Sequence, residues 1–139
     1  AMRMDKTRLA GLAATLLHYI KGEALTKVPV WRMISLPLEE IDRKAKLWAE
    51  AAGEAAQVID GESLIGGGSL PGASLPTRLL ALGDPQKPAL AQKLARKLRA
   101  FDPPVVGRIS ENLLLLDPRT VAPAEEETVV RALKQVLEY

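Results

Sequence analysis

The chain of 139 residues is 47% hydrophobic and 26% charged with a formal net charge of +2, a balance that suits one globular domain and argues against disorder. It has no cysteine, which excludes disulfides, thiolate metal sites and a cysteine nucleophile, and a single histidine, which leaves little material for a histidine metal cluster or a Ser-His-Asp triad. Aromatic residues make up 4% of it, too few for a base-stacking platform, and no run of about 18 apolar residues offers a membrane span.

The first expected element is a helix. Leu9, Leu12, Ala13, Leu16, Leu17 and Ile20 recur at helical spacing, Asp5 can cap the start and Gly22 can end it. Its start is too polar and too helical for a secretory signal, and the absence of cysteine fits a cytosolic protein. A short turn or helix is expected over Pro29–Ile34. A second long helix is predicted from Pro37, with Glu39 and Glu40 in its first turn, a buried stripe of Leu38, Ile41, Ala45, Trp48 and Ala52, and a stop at Gly53. The period then changes. Ala56–Ile59, Glu62–Ile65 and Leu75–Leu82 read as strands, and Gly83-Asp84-Pro85 as a turn. A third helix begins near Pro88, buries Leu90, Ala91, Leu94, Ala95 and Leu98, and is broken by Asp102-Pro103-Pro104. Val105–Ser110 and Leu113–Leu116 form a predicted hairpin around Glu111-Asn112. A last helix starts at Pro123 with Glu125, Glu126 and Glu127 in its first turn and Val129, Val130, Leu133, Val136 and Leu137 inside. Strands with helices before, between and after them predict an α+β fold, a short antiparallel or mixed sheet covered by helices.

Candidate sites are few. The loop Gly66-Gly-Gly-Ser-Leu-Pro-Gly72 lacks a Walker lysine, so it is a turn or a place of close approach to a ligand or another domain. Lys93, Arg96, Lys97 and Arg99 line the third helix opposite its leucines, a stripe able to track RNA phosphates but more often a solvated face. Arg43, Lys44 and Lys46 on the preceding helix invite the same discount. His18, Trp31 and Trp48 read as partner-facing or packing residues. Arg108 on the hairpin and Arg119 just beyond it can converge on an anion, or pair with Asp117 or Glu62. No nucleophile, base and oxyanion donor fall into a recognisable spacing, so no catalytic residue is assigned.

Four segments, Val28–Glu40, Glu62–Pro76, Pro103–Ile109 and Leu113–Val121, occur in the order and at the distances of the C-terminal part of bacterial selenocysteine synthases, the L-seryl-tRNA(Sec) selenium transferases, and the chain resembles that family over nearly its whole length. The resemblance implies the small C-terminal domain of an aspartate-aminotransferase-like (fold type I) pyridoxal 5'-phosphate enzyme. Residues 1–22 would be the helix linking from the large cofactor domain and 23–139 the small domain. It further implies that the intact, homo-oligomeric, cytoplasmic enzyme converts seryl-tRNA(Sec) to selenocysteinyl-tRNA(Sec) with selenophosphate. The family's cofactor lysine has no counterpart here, so the fragment would be inactive, would bind no cofactor, and would expose apolar surface. Family members carry an Arg-x-x-Arg-x-Asp-Lys segment that helps hold the selenium donor; Arg3-Met4-Asp5-Lys6 matches its second half, which makes Arg3 the first candidate for the donor anion, ahead of Arg108 and Arg119. Lys93, Arg96 and Lys97 are the candidates for tRNA. Two alternatives stand beside this: a related pyridoxal-phosphate lyase acting on a free amino acid or amino sugar, and a stand-alone RNA-interaction module.

Overall fold

The computed structural model describes residues 5–66 and 72–137. The chain divides into two compact units, Ala1–Leu36 and Pro37–Tyr139.

In the first unit, helix α1 (Lys6–Ile20) starts where the Asp5 carboxylate accepts the Arg8 N–H at 2.9 Å and ends before Gly22, whose φ of 71° a residue with a Cβ would resist. A one-turn helix α2 (Ala24–Lys27), which periodicity did not predict, and α3 (Pro29–Ser35) follow. The Trp31 indole N–H donates to the Tyr19 hydroxyl, and His18 Nδ1 lies 3.2 Å from Glu23 Oε2. No described residue of this unit is buried.

The second unit begins with α4 (Leu38–Ala52), one residue after the Pro37 start expected from sequence. Its buried stripe is Ile41, Lys44, Ala45, Trp48 and Ala52; Leu38, in the first turn, stays 37% exposed. Next come β1 (Ala56–Leu64), β2 (Ser74–Leu82), α5 (Pro88–Arg99), β3 (Arg108–Ser110), β4 (Leu113–Leu116) and α6 (Glu126–Leu137). The four strands form one antiparallel sheet in the order β1-β2-β4-β3, with β1 and β3 as its edges.

Two sequence expectations change here. The separate strands Ala56–Ile59 and Glu62–Ile65 are one continuous strand, because Gly61 is a packing site and not a break: a Cβ there would lie 2.4 Å from Leu79 Cδ1. The strand expected from Val105 begins at Arg108, because the Val105 N–H is drawn to the Leu98 carbonyl at the end of α5 (3.0 Å). The hairpin turn is as expected, with Glu111 and Asn112 both at positive φ (50° and 64°), the geometry of a two-residue turn matched to strand twist. The Asp102–Pro103 peptide is cis.

The main core lies between the sheet and its helices. Trp48 of α4, Leu80, Leu82, Leu114 and Leu116 of the sheet, Leu94 and Leu98 of α5, and Val129 and Leu133 of α6 meet there. Alternation along the strands puts Leu79, Ala81, Leu113 and Leu115 on the other sheet face as a second, smaller cluster with Ile59.

Candidate functional site

The densest polar cluster lies at one end of the sheet. Asp117 follows β4 directly, and its carboxylate collects three donors: the Ser63 hydroxyl at 2.5 Å, the Thr77 hydroxyl at 3.0 Å and the Arg119 backbone N–H at 3.0 Å. The Arg119 guanidinium then turns back over the same strands. Its Nε donates to Ser63 Oγ (3.2 Å) and its Nη2 to the Pro76 carbonyl (2.7 Å). The cluster therefore ties β1 (Ser63) and β2 (Pro76, Thr77) to the turn Pro118–Thr120. Arg119 is 6% exposed, and burial pulls its ionisation below the ordinary value while the Asp117 charge opposes that pull. Buried charge of this kind persists when it is paired and hydrogen-bonded. The Arg119 guanidinium is thus held by a hydroxyl and a backbone carbonyl inside the sheet end, while its backbone N–H meets Asp117.

Arg108 is placed differently. It is exposed on β3, and its Nη2 reaches only the backbone carbonyl of Glu62 at a long 3.4 Å. It lines a cleft of about 290 Å³ with Ser63, Leu64, Val106, Gly107, Leu115, Asp117 and Thr120. The two arginines thus border one region, but one is internal and the other open. Arg3, the remaining anion candidate, lies outside the described residues, as do residues 67–71 of the glycine loop. That loop's ends are closed by the Ile65 N–H on the Ala73 carbonyl at 3.0 Å.

A second cleft of about 230 Å³ is mostly apolar and is lined by Trp48, Pro103, Pro104, Val105, Leu116 and Val121 with Asp117, Glu125 and Thr128 at its polar margin. Trp48 is 0% exposed and its indole N–H has no acceptor among the described residues.

On α5, Lys93, Arg96 and Arg99 are exposed, whereas Lys97 is half-buried and donates to the Val136 carbonyl at 3.3 Å, closing the end of α6. Lys44 departs from the solvated face expected of it. It is 3% exposed and pairs with Glu126 of α6 at 3.3 Å. Among the described residues no group of three or more metal-ligating side chains gathers, and no helix is long and apolar enough to cross a membrane.

Sequence reasoning missed Ser63 and Thr77, the residues that hold Asp117. They stand 54 and 40 positions away from it, and only the strand register brings them together. Their one local signal is a hydroxyl residue within each apolar strand, Ser63 before Leu64 and Thr77 two residues from both Leu75 and Leu79.

The fold and these sites define an α+β domain whose polar residues serve mainly to bind its own parts together. The family model described as L-seryl-tRNA selenium transferase matches residues 1–122, and the chain belongs to that family. Relatives named L-seryl-tRNA(Sec) selenium transferase include those of Desulfovibrio desulfuricans, 40% identical over 147 residues, Aquifex aeolicus, 36% over 141 residues, and Clostridium perfringens, 34% over 142 residues. The matches cover 98–99% of this chain and 30% of each relative. The chain therefore spans about a third of the length of those relatives.

Proposed function

We propose that the intact protein to which this chain belongs is an L-seryl-tRNA(Sec) selenium transferase that converts seryl-tRNA(Sec) to selenocysteinyl-tRNA(Sec) with selenophosphate, and that this chain is its supporting small domain. The observation that carries the reading is the family match, which covers residues 1–122, all of the first compact unit and most of the second. A cytoplasmic homo-oligomer of the fold type I class is part of the same proposal.

Pyridoxal phosphate would supply the electron sink for exchange at the seryl β-carbon. Neither of the two clefts described above fits that group. The buried lysine, Lys44, is taken by Glu126, and neither cleft presents a lysine amine. No step is therefore assigned to this chain through the cofactor, whose site we place elsewhere in the intact protein. What these residues do is hold shape. Asp117 and Arg119 fix the end of the β1–β2 hairpin, and of the two arginines at this end of the sheet the exposed Arg108 is the one placed to meet an oxyanion, with Arg3 as the donor-side candidate.

The test uses the intact protein with pyridoxal phosphate, seryl-tRNA(Sec) and selenophosphate, and reads selenocysteinyl-tRNA. Formation of that product supports the assignment. Intact seryl-tRNA with cofactor bound would overturn it and favour a lyase acting on a free amino acid or amino sugar.

A further inference from the structure

We propose that the outer face of α5 is an electrostatic docking surface for the phosphodiester backbone of RNA, made by Lys93, Arg96 and Arg99. The choice of RNA rests on the tRNA reading above; the charge arrangement does not.

Helix α5 carries four basic residues and no acidic one. Its leucines and alanines, Ala91, Leu94, Ala95 and Leu98, are buried in the core, so the opposite face is fixed outward. Lys93, Arg96 and Arg99 follow one another at three-residue intervals. Such residues are neighbours on a helix surface, and about 1.5 Å of rise per residue spreads these three over about 9 Å.

The pairing of charges in Pro37–Tyr139 sets this face apart. Lys44, Lys46, Arg78 and Lys87 each meet a carboxylate. Lys97 meets a backbone carbonyl, which removes it from the set read from sequence. Lys93, Arg96 and Arg99 have no hydrogen-bond or ion-pair partner among the described residues, and Arg43 and Lys134, equally unpaired, stand singly on other helices. A solvated face ordinarily mixes both signs. The helix dipole accounts for cations in the last turn, Arg96 and Arg99, but not for Lys93 one turn earlier. Mutual repulsion among three adjacent like charges is relieved by a polyanion. The face has no aromatic residue, so it would grip backbone rather than read bases.

The test is binding of the intact protein to a labelled, uncharged tRNA transcript between 50 and 200 mM KCl, followed by fluorescence anisotropy. Each phosphate contact contributes about 0.7–0.9 to the slope of log affinity against log salt. The triple variant K93Q/R96Q/R99Q should lose about 2.1–2.7 from that slope, so its affinity should fall about 20- to 40-fold less than wild type over this range. Arg96→Gln alone should lose somewhat less than one unit, and Lys97→Gln should leave the slope unchanged. A wild-type slope in the triple variant overturns the proposal. So does a triple variant that loses binding to phosphatidylserine vesicles but keeps its tRNA slope, since that pattern belongs to a membrane surface. Should selenium transfer fail while the slope still drops in the triple variant, the docking face stands and the transferase reading falls.

Discussion

The two compact units spend their apolar residues in opposite ways. In Pro37–Tyr139, Ile41 and Trp48 of α4, Leu80 of β2, Leu114 of β4 and Leu133 of α6 are wholly buried. In Ala1–Leu36, α1 carries leucines at helical spacing but is less sharply amphipathic than α4, α5 or α6, and Leu9, Leu12, Leu16 and Leu17 are each about half exposed and Ile20 is 80% exposed. The second unit buries its stripes against its own sheet, and the first buries none of its described residues. A helical stripe marks one face as apolar, and whether that face is buried depends on what packs against it.

The sharpest way to break this contrast is to truncate one tryptophan in each unit. Trp48→Ala should cost about 3–5 kcal/mol in urea unfolding followed by circular dichroism, through lost burial and the cavity left behind. Trp31→Ala, at a site already 38% exposed, should cost about 1 kcal/mol or less. Similar losses at both sites would show that the first unit has a hidden core. Next in size is Asp117→Ala, which strands the Ser63 and Thr77 hydroxyls and the Arg119 backbone N–H together and should cost about 2–4 kcal/mol. An unchanged midpoint would mean that the cluster is ornament and not a tie. Gly107→Ala tests the sheet more locally. A Cβ there would sit 2.7 Å from the Leu115 carbonyl oxygen, and the shift it forces should cost about 1–3 kcal/mol. Leu16→Ser should change unfolding by no more than about 0.5 kcal/mol while weakening self-association in sedimentation velocity; a large stability loss with no change in association would refute the open face.

The smallest effect concerns Asp84. The Gln86 backbone N–H at 2.9 Å, and then Lys87, hold its carboxyl below the ordinary value of 3.8. A lowered folded-state value means that the stabilising contribution is present above the unfolded value and fades as pH falls through the folded one. An NMR titration should therefore place the Asp84 midpoint below that of an unstructured aspartate, and the shift should shrink in Lys87→Ala. A midpoint at or above the ordinary value would remove the turn from this account.

Much of the fold could be read directly. The α4, α5 and α6 stripes were legible because burial on one helical face leaves a period that local sequence records. The Glu111-Asn112 turn was legible because its position between two apolar runs outweighs the missing glycine. The failures share one cause, dependence on distant partners. Gly61 has the appearance of a breaker until Leu79 is seen packed against it. Lys44 has the look of a solvated lysine because Glu126 lies 82 positions on and joins it only when α4 meets α6. The candidate site was legible in part. Arginines at 108 and 119 stand out by type, but the division between an internal Arg119 and an open Arg108 depends on Ser63, Thr77 and the strand register.

The edge position of β1 has one more consequence. Nine residues long, it leaves a row of outward backbone groups on which the strand of another polypeptide could add itself. Asp60 and Glu62 interrupt that row in its middle, and Asp60 is anchored in place by Arg78. An incoming strand would have to pass beside two carboxylates, one of them held rigid. Charged residues placed this way blunt edge-to-edge growth, so the longer of the two edge strands also guards the domain against templated aggregation.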